Sequence, residues 1–82
     1  MVQTEFAKDF EEKFFKIRDK SFVDRISKAL EKVKNNPEVG KPMRFERFGT
    51  REVYVGSHRL VYSYIQNDGK IVFLDVYHKD EQ

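Results

Sequence analysis

An arginine and a histidine in the second half of the chain have the side chains best suited to chemistry. Arg59 lies in the segment His58 to Tyr62, and His78 lies in the segment Asp75 to Lys79. A guanidinium keeps its positive charge at every physiological pH, whereas an imidazole titrates near neutrality. Side by side on neighbouring strands, the two groups would grip a phosphodiester and move a proton. Their pairing predicts RNA cleavage that needs no metal ion.

The strand that carries Arg59 is predicted from a hairpin signal. Residues 51–55 and 58–65 alternate on either side of Gly56-Ser57, which is a typical two-residue β-turn. This turn sets Val55 opposite His58, Tyr54 opposite Arg59, Val53 opposite Leu60, and Glu52 opposite Val61. Alternation then predicts a face that packs on the helices, with Val53, Leu60, Tyr62 and Tyr64. The other face carries Glu52, Tyr54, Arg59 and Ser63.

A second turn is predicted at Asn67-Asp68-Gly69, before a strand from Lys70 to Tyr77. If Asp68-Gly69 is a two-residue turn, Arg59 lies opposite His78, and both share the face away from the helices. A one-residue bulge would break this register. His58 is expected to point toward the helices. Zinc binding is not expected, because the two histidines would then point to opposite faces.

The first half of the chain predicts a strand and two helices. Val2 to Phe6 alternates like a strand, and the helix that follows runs from about Ala7 to Arg18. A second helix is expected to begin with Ser21 as its cap and to end at Asn35-Asn36-Pro37. The apolar stripe of the first helix contains Phe6, Phe10, Phe14 and Ile17. The stripe of the second helix contains Val23, Ile26, Leu30 and Val33.

Length and composition predict one domain over residues 1–82, because a chain of this size supports a single core. The expected fold class is α+β, with an N-terminal strand, a two-helix hairpin and an antiparallel meander of three to four strands packed on the helices. Arg44 to Phe48 is the candidate fourth strand. Cysteine is absent and the net charge is only +2. No apolar run is long enough for a membrane span, and a cytoplasmic protein is expected.

Three motifs in this chain resemble the RelE/ParE toxin superfamily of toxin-antitoxin systems, and the second half is most similar to the YoeB-like branch. They are Gly40-Lys41-Pro42, the segment His58 to Tyr62, and Tyr77-His78. The expected order of strands and helices matches as well, over nearly the whole chain. The resemblance implies a toxin that enters the ribosome, cleaves mRNA and inhibits translation.

The resemblance also implies roles for individual residues. Arg59 matches the arginine that stabilises the transition state, and His78 matches the histidine that serves as general acid. YoeB-like enzymes place a glutamate base just after the Lys-Pro pair, where this chain has Met43. Glu46 or Glu52 would have to replace that base. The expected RNA and phosphate contacts are Lys79, Arg51, Arg47 and the stacking side chain of Tyr54.

The partners implied by the resemblance are a cognate antitoxin, mRNA and the ribosome, and the resemblance leaves room for a homodimer. No cofactor is expected, since the chain has no glycine-rich phosphate loop. Two alternatives stay open. One is a ParE-like toxin that binds DNA gyrase and cuts no RNA. The other is a non-catalytic RelE-like binding module, which Met43, Glu52 and the small net charge favour.

Overall fold

A computed structural model describes residues 2–43 and 49–81 as two helices against a five-stranded mixed sheet. The elements in chain order are β1 (Gln3–Phe6), α1 (Lys8–Phe15), α2 (Lys20–Asn35), β2 (Lys41–Pro42), β3 (Arg51–Val55), β4 (His58–Ile65) and β5 (Lys70–His78). The strand order is β1-β5-β4-β3-β2, with β1 parallel to β5 and the other neighbours antiparallel. The predicted α+β class is confirmed. The candidate strand from Arg44 to Phe48 lies outside the described residues.

Helix α1 packs through its phenylalanines. Phe10 is almost fully buried, and its ring stacks on Phe6 and Phe14 at centroid distances of 5.5 and 5.7 Å. Phe6 in turn stacks on Phe73 of β5, so the predicted stripe joins β1, α1 and the sheet. The helix ends at Phe15, three residues before the expected end, although Ile17 still packs against the core.

Helix α2 begins at Lys20, and its cap is Asp19 rather than Ser21. The Asp19 carboxylate accepts a hydrogen bond from the Phe22 N–H at 3.3 Å. An aspartate caps a helix as well as a serine does, and its charge also complements the helix dipole. The buried stripe contains Phe22, Ile26, Ala29 and Val33. The helix ends at Asn35 as predicted. Neither described helix is long and apolar enough to cross a membrane.

The hairpin that carries Arg59 has the predicted register. All four predicted pairs across Gly56-Ser57 are present, and Gly56 has the positive φ of 60° that such a turn requires. Val53, Leu60 and Tyr62 are buried in the core against the helices, and Tyr64 packs at its edge. The face of the sheet opposite α1 and α2 carries Tyr54 and Arg59. We call it the far face.

The predicted register between β4 and β5 is wrong for two reasons. The turn has four residues between Ile65 and Lys70, not two, which moves the pairing by two positions and leaves each side chain on its face. A bulge then follows, because Tyr62 pairs with Phe73 whereas Val61 pairs with Asp75. The unpaired Leu74 moves the pairing by one position, which exchanges the two faces beyond it. Arg59 therefore lies opposite Tyr77, and His78 lies opposite His58.

Candidate functional site on the far face

The far face holds a cluster of Arg59, Glu52, Tyr77 and Tyr54. Tyr77 donates a hydrogen bond of 2.6 Å to Oε2 of Glu52, whose other oxygen lies 4.0 Å from Nε of Arg59. The guanidinium carbon of Arg59 lies 3.9 Å from the centre of the Tyr54 ring, and Nη1 donates to the His58 carbonyl. Three predicted site residues, Arg59, Glu52 and Tyr54, therefore come together. The fourth member is Tyr77.

Burial differs strongly within this cluster. Glu52 and Tyr77 are buried, the Arg59 side chain is 17% exposed, and Tyr54 is 58% exposed. Charge-assisted hydrogen bonds hold a buried carboxylate in one orientation. A substrate that approaches this face would therefore meet Tyr54 and the edge of Arg59 first. Glu52 forms the floor beneath them.

Glu52 also lines a second approach, from the β2 edge of the sheet. It shares a hollow of about 410 Å³ with Lys41, Pro42 and Met43. Met43 is the position at which YoeB-like relatives are expected to carry their base. Of the two predicted substitutes for that base, Glu52 lies beside the expected position. The other, Glu46, lies outside the described residues, as does Arg47.

His78 lies on the helix side of the sheet and does not meet Arg59. Its ring packs edge-on against His58 with the centroids 5.1 Å apart, and His58 contacts the ring of Phe22 at 4.2 Å. Nδ1 of His78 accepts a hydrogen bond from the Asp80 N–H. The predicted alignment of Tyr54, Arg59 and His78 on one face is thus wrong, because the bulge turns His78 over. The two histidines therefore lie on the same face, not on opposite faces as was predicted when zinc binding was not expected.

Of the predicted phosphate contacts, the structure describes Arg51 and Lys79. Arg51 lies on the helix side, where Nη1 donates to the carbonyls of Glu38 and Gly40 at 3.0 and 2.8 Å. Lys79 is exposed just beyond β5, where its N–H donates to the Ser57 carbonyl. Arg51 is therefore bound to the loop before β2, where it braces backbone.

Tyr62 braces the same loop, which contains the Gly40-Lys41-Pro42 motif. Its hydroxyl donates to the Pro37 carbonyl at 2.7 Å and accepts from the Gly40 N–H at 2.9 Å. Burial raises the pKa of Tyr62, against the opposing effects of the Gly40 hydrogen bond and the Arg51 charge. A Cβ at Gly40 would lie 2.7 Å from the Tyr62 hydroxyl. The glycine is required because the loop backbone passes this close to the tyrosine.

The cluster combines a fixed cation, a carboxylate and an aromatic face. A guanidinium stabilises negative charge that develops on phosphate, a carboxylate accepts a proton, and an exposed tyrosine stacks on bases. Among the described residues, no group of three or more histidine, cysteine or acidic side chains is arranged to hold a metal ion. The guanidinium, the carboxylate and the exposed ring supply acid-base, electrostatic and stacking chemistry at the far face.

Tyr77 is the site residue that the sequence prediction missed, although it stands beside the predicted His78. The apolar residues of β5 give a signal. Ile71 and Phe73 are two apart, but the next core residue is Val76, three further on. A change of phase inside a strand is the mark of a bulge.

Comparison with known proteins identifies the family. The profile of the ParE toxin of the type II toxin-antitoxin system parDE matches residues 4–82. The chain belongs to the ParE toxin family. It is thus the toxin of a toxin-antitoxin system, within the predicted RelE/ParE superfamily. Among curated proteins, none matches the chain significantly in sequence.

Solved structures of toxin-antitoxin proteins share the fold of this ParE family member. A chain of the RelBE2 toxin-antitoxin complex from Mycobacterium tuberculosis is 26% identical, with a TM-score of 0.80 over 94% of this chain and 96% of that one. The YoeB dimer from Staphylococcus aureus is also 26% identical, with a TM-score of 0.70 and coverage of 94% and 97%. The YoeB/ParE toxin from Agrobacterium tumefaciens is 14% identical, with a TM-score of 0.83 and coverage of 94% and 98%, a likeness of fold alone.

Proposed function

We propose that this toxin is an endoribonuclease that cleaves mRNA at the ribosome without a metal ion and so inhibits translation. The observation that carries the proposal is the far-face cluster, in which Arg59 lies beside both the Glu52 carboxylate and the Tyr54 ring. Glu52 also borders the hollow beside Met43, which supports its role as substitute base. Because the proposed target is mRNA on ribosomes, the toxin would act in the cytoplasm.

In the proposed reaction, the 2′-hydroxyl of one nucleotide attacks the adjacent phosphorus. Glu52 accepts the hydroxyl proton, and Arg59 stabilises the negative charge that accumulates on the phosphate oxygens. The bond from phosphorus to the 5′ oxygen breaks, and that oxygen takes a proton from water. The products are a 2′,3′-cyclic phosphate and a 5′-hydroxyl. Tyr77 orients the Glu52 carboxylate, and Tyr54 stacks on a base.

This scheme gives His78 no part in proton transfer, because its ring lies on the helix side beside His58. Arg51 is likewise outside the cluster, because it binds the loop before β2. Lys79, just beyond β5, would contact phosphate further along the RNA. The expected general acid of YoeB-like enzymes is therefore replaced by solvent.

A cognate antitoxin is the proposed protein partner. The relative from Mycobacterium tuberculosis was solved as a toxin-antitoxin complex, and the relative from Staphylococcus aureus as a dimer. By analogy, this chain would bind a cognate antitoxin and form a dimer when free. Antitoxin segments of this kind fold on their targets, and such a segment would block the far face. Sedimentation of the free toxin tests the dimer.

A gyrase-binding toxin is the second candidate. The match to the ParE profile favours it, and so does the position of Glu52, which partly neutralises Arg59. A toxin of this kind acts by binding gyrase, and its far face needs no catalytic base.

Expression of the toxin alone in bacteria separates the candidates. The ribonuclease predicts growth arrest with mRNA cut in coding regions, mapped by sequencing of RNA ends, and no arrest with Arg59→Ala. The gyrase toxin predicts intact transcripts, DNA damage and loss of supercoiling by purified gyrase. Normal growth with folded wild-type toxin would contradict both and favour a non-catalytic binding module.

A further inference from the structure

The ladder between β4 and β5 contains one residue without a partner. Pairing is regular from Ile65 opposite Lys70 up to Tyr62 opposite Phe73. It resumes with Val61 opposite Asp75 and continues to His58 opposite His78, so that Leu74 is left over. All the far-face contacts of Tyr77 lie beyond this bulge. Whatever holds the bulge therefore sets the composition of the cluster.

The side chain of Asp75 binds both the backbone of the bulge and helix α1. Its Oδ1 accepts a hydrogen bond from the Val76 N–H at 2.8 Å. The same oxygen lies 2.8 Å from Nζ of Lys13. Strand β1 pairs with β5 only as far as Phe73. Beyond Phe73, the edge of β5 that faces away from β4 is bound by the Asp75 side chain and not by a strand. Asp75 thus replaces the missing strand contact at the bulge.

The charge of Asp75 also opposes the alternative register. Without the bulge, pairing would run on from Tyr62 opposite Phe73 to Leu60 opposite residue 75 and Arg59 opposite Val76. Residue 75 would then share the face of Leu60, which is fully buried. A carboxylate in such a place is strongly disfavoured, because it loses water and gains no partner. Val76, which is buried in the core, would at the same time move to the far face.

We infer that Asp75 is a positioning residue that fixes the register of β5 and thereby delivers Tyr77, and not His78, to the face of Arg59. In the regular ladder, Tyr77 would turn to the helix side and His78 to the far face, because a shift of one residue exchanges the faces. Asp75 acts through Tyr77 and Glu52. The control of the β5 register by Asp75 does not depend on the target of the toxin. The effect of Asp75 on RNA cleavage rests on the proposed function.

Asp75→Leu is the variant that tests this inference, because leucine favours the buried position and cannot bind Val76 N–H or Lys13. Nuclear Overhauser contacts in the folded protein should change from Arg59 with Tyr77 to Arg59 with Val76. The contact between the His58 and His78 rings should disappear. Cleavage of ribosome-bound mRNA should fall about 100-fold, as expected for a misplaced reacting group. Asp75→Asn is the matched control, since its amide oxygen still accepts from Val76 N–H and its polarity still opposes burial.

Deletion of Leu74 in the Asp75→Leu background supplies the decisive second variant. Once Leu74 is removed, a regular ladder that continues from Tyr62 opposite Phe73 sets Leu60 opposite Val76 and Arg59 opposite Tyr77, as in the wild type. The contact of Arg59 with Tyr77 should therefore return although residue 75 is leucine. Native contacts in Asp75→Leu would overturn the inference. If Asp75→Leu does not fold, failure of the deletion to restore folding and native pairing would overturn it too. A changed register together with a wild-type toxin that cuts no RNA would refute the proposed function and leave the role of Asp75 intact.

Discussion

Tyr77 and Glu52 are joined by a hydrogen bond of 2.6 Å that spans the central strand of the sheet, from β5 across β4 to β3. The bond is buried, and Arg59 of the intervening strand lies beside the same carboxylate. Tyr77 therefore occupies the place beside Arg59 that His78 was predicted to occupy. The difference is that Tyr77 holds a carboxylate, whereas a histidine would have supplied a proton.

The Tyr77 hydroxyl is expected to stabilise the fold. Tyr77→Phe leaves Oε2 of the buried Glu52 without this donor, and the free energy of unfolding should fall by about 1.5–3 kcal/mol, as for hydrogen bonds to charged groups. Urea unfolding measures the change. Tyr54→Phe on the same face is the control, because Tyr54 is mostly exposed and its variant should change stability by less than about 0.5 kcal/mol. Equal losses in the two variants would contradict the structure.

The close approach of Gly40 to Tyr62 predicts a coupled pair of substitutions. Gly40→Ala should cost about 1–3 kcal/mol, because its Cβ would press on the buried tyrosine ring and hydroxyl. Tyr62→Phe removes the hydroxyl, so the loss in the double variant should be smaller than the sum of the single losses. Unfolding of all four proteins in urea completes the cycle. Strict additivity would show that the two residues do not meet.

Stability should decline at alkaline pH because of Tyr62. Burial raises its pKa from the ordinary value of 10.0, so above that pH the folded state binds more protons than the unfolded state. The stabilisation is complete below the unfolded pKa and is lost as the pH rises through the folded pKa. The wild type should therefore lose stability relative to Tyr62→Phe above about pH 10. Urea unfolding at a series of alkaline pH values measures this difference, and a constant difference would refute the assignment.

Two phenylalanines of α1 should lose very different amounts of stability on truncation. Phe10 is 2% exposed between Phe6, Phe14 and Phe73, whereas Phe15 is 78% exposed. Phe10→Ala should cost about 3–5 kcal/mol and Phe15→Ala less than about 0.5 kcal/mol. Thermal and urea unfolding compare the two. A large loss with Phe15→Ala would mean that the end of α1 is packed.

The elements of this fold follow from local sequence signals. The spacing of Phe6, Phe10 and Phe14 gives a helix face, Asn36-Pro37 ends α2, and Gly56-Ser57 fixes the register of the first hairpin. Each signal acts within a few residues, where backbone sterics and polarity are decisive. The parallel pairing of β1 with β5 has no such local cause, because it joins residues about 67 apart in the sequence.

The candidate site was harder to predict, because it depends on register between strands. Asn67-Asp68-Gly69 is compatible with turns of two or four residues, since a glycine readily takes the positive φ that either turn needs. In the observed four-residue turn Gly69 has a φ of 58°. The bulge then depends on which residues of β5 the core accepts. A regular alternation from Ile71 and Phe73 would bury Asp75, and the structure buries Val76 instead. Burial of a charge costs more than one irregular pair, so the bulge is preferred.

The rate at which purified toxin cleaves mRNA in the ribosomal A site tests the central claim most directly. Single-turnover rates would be compared for the wild type, Arg59→Ala and His78→Ala, each shown to be folded. The far-face cluster predicts a fall of about 10²- to 10³-fold for Arg59→Ala, as for the loss of one transition-state donor, and a rate near the wild type for His78→Ala. A loss in His78→Ala as large as that in Arg59→Ala, or an undiminished rate in Arg59→Ala, would contradict the account.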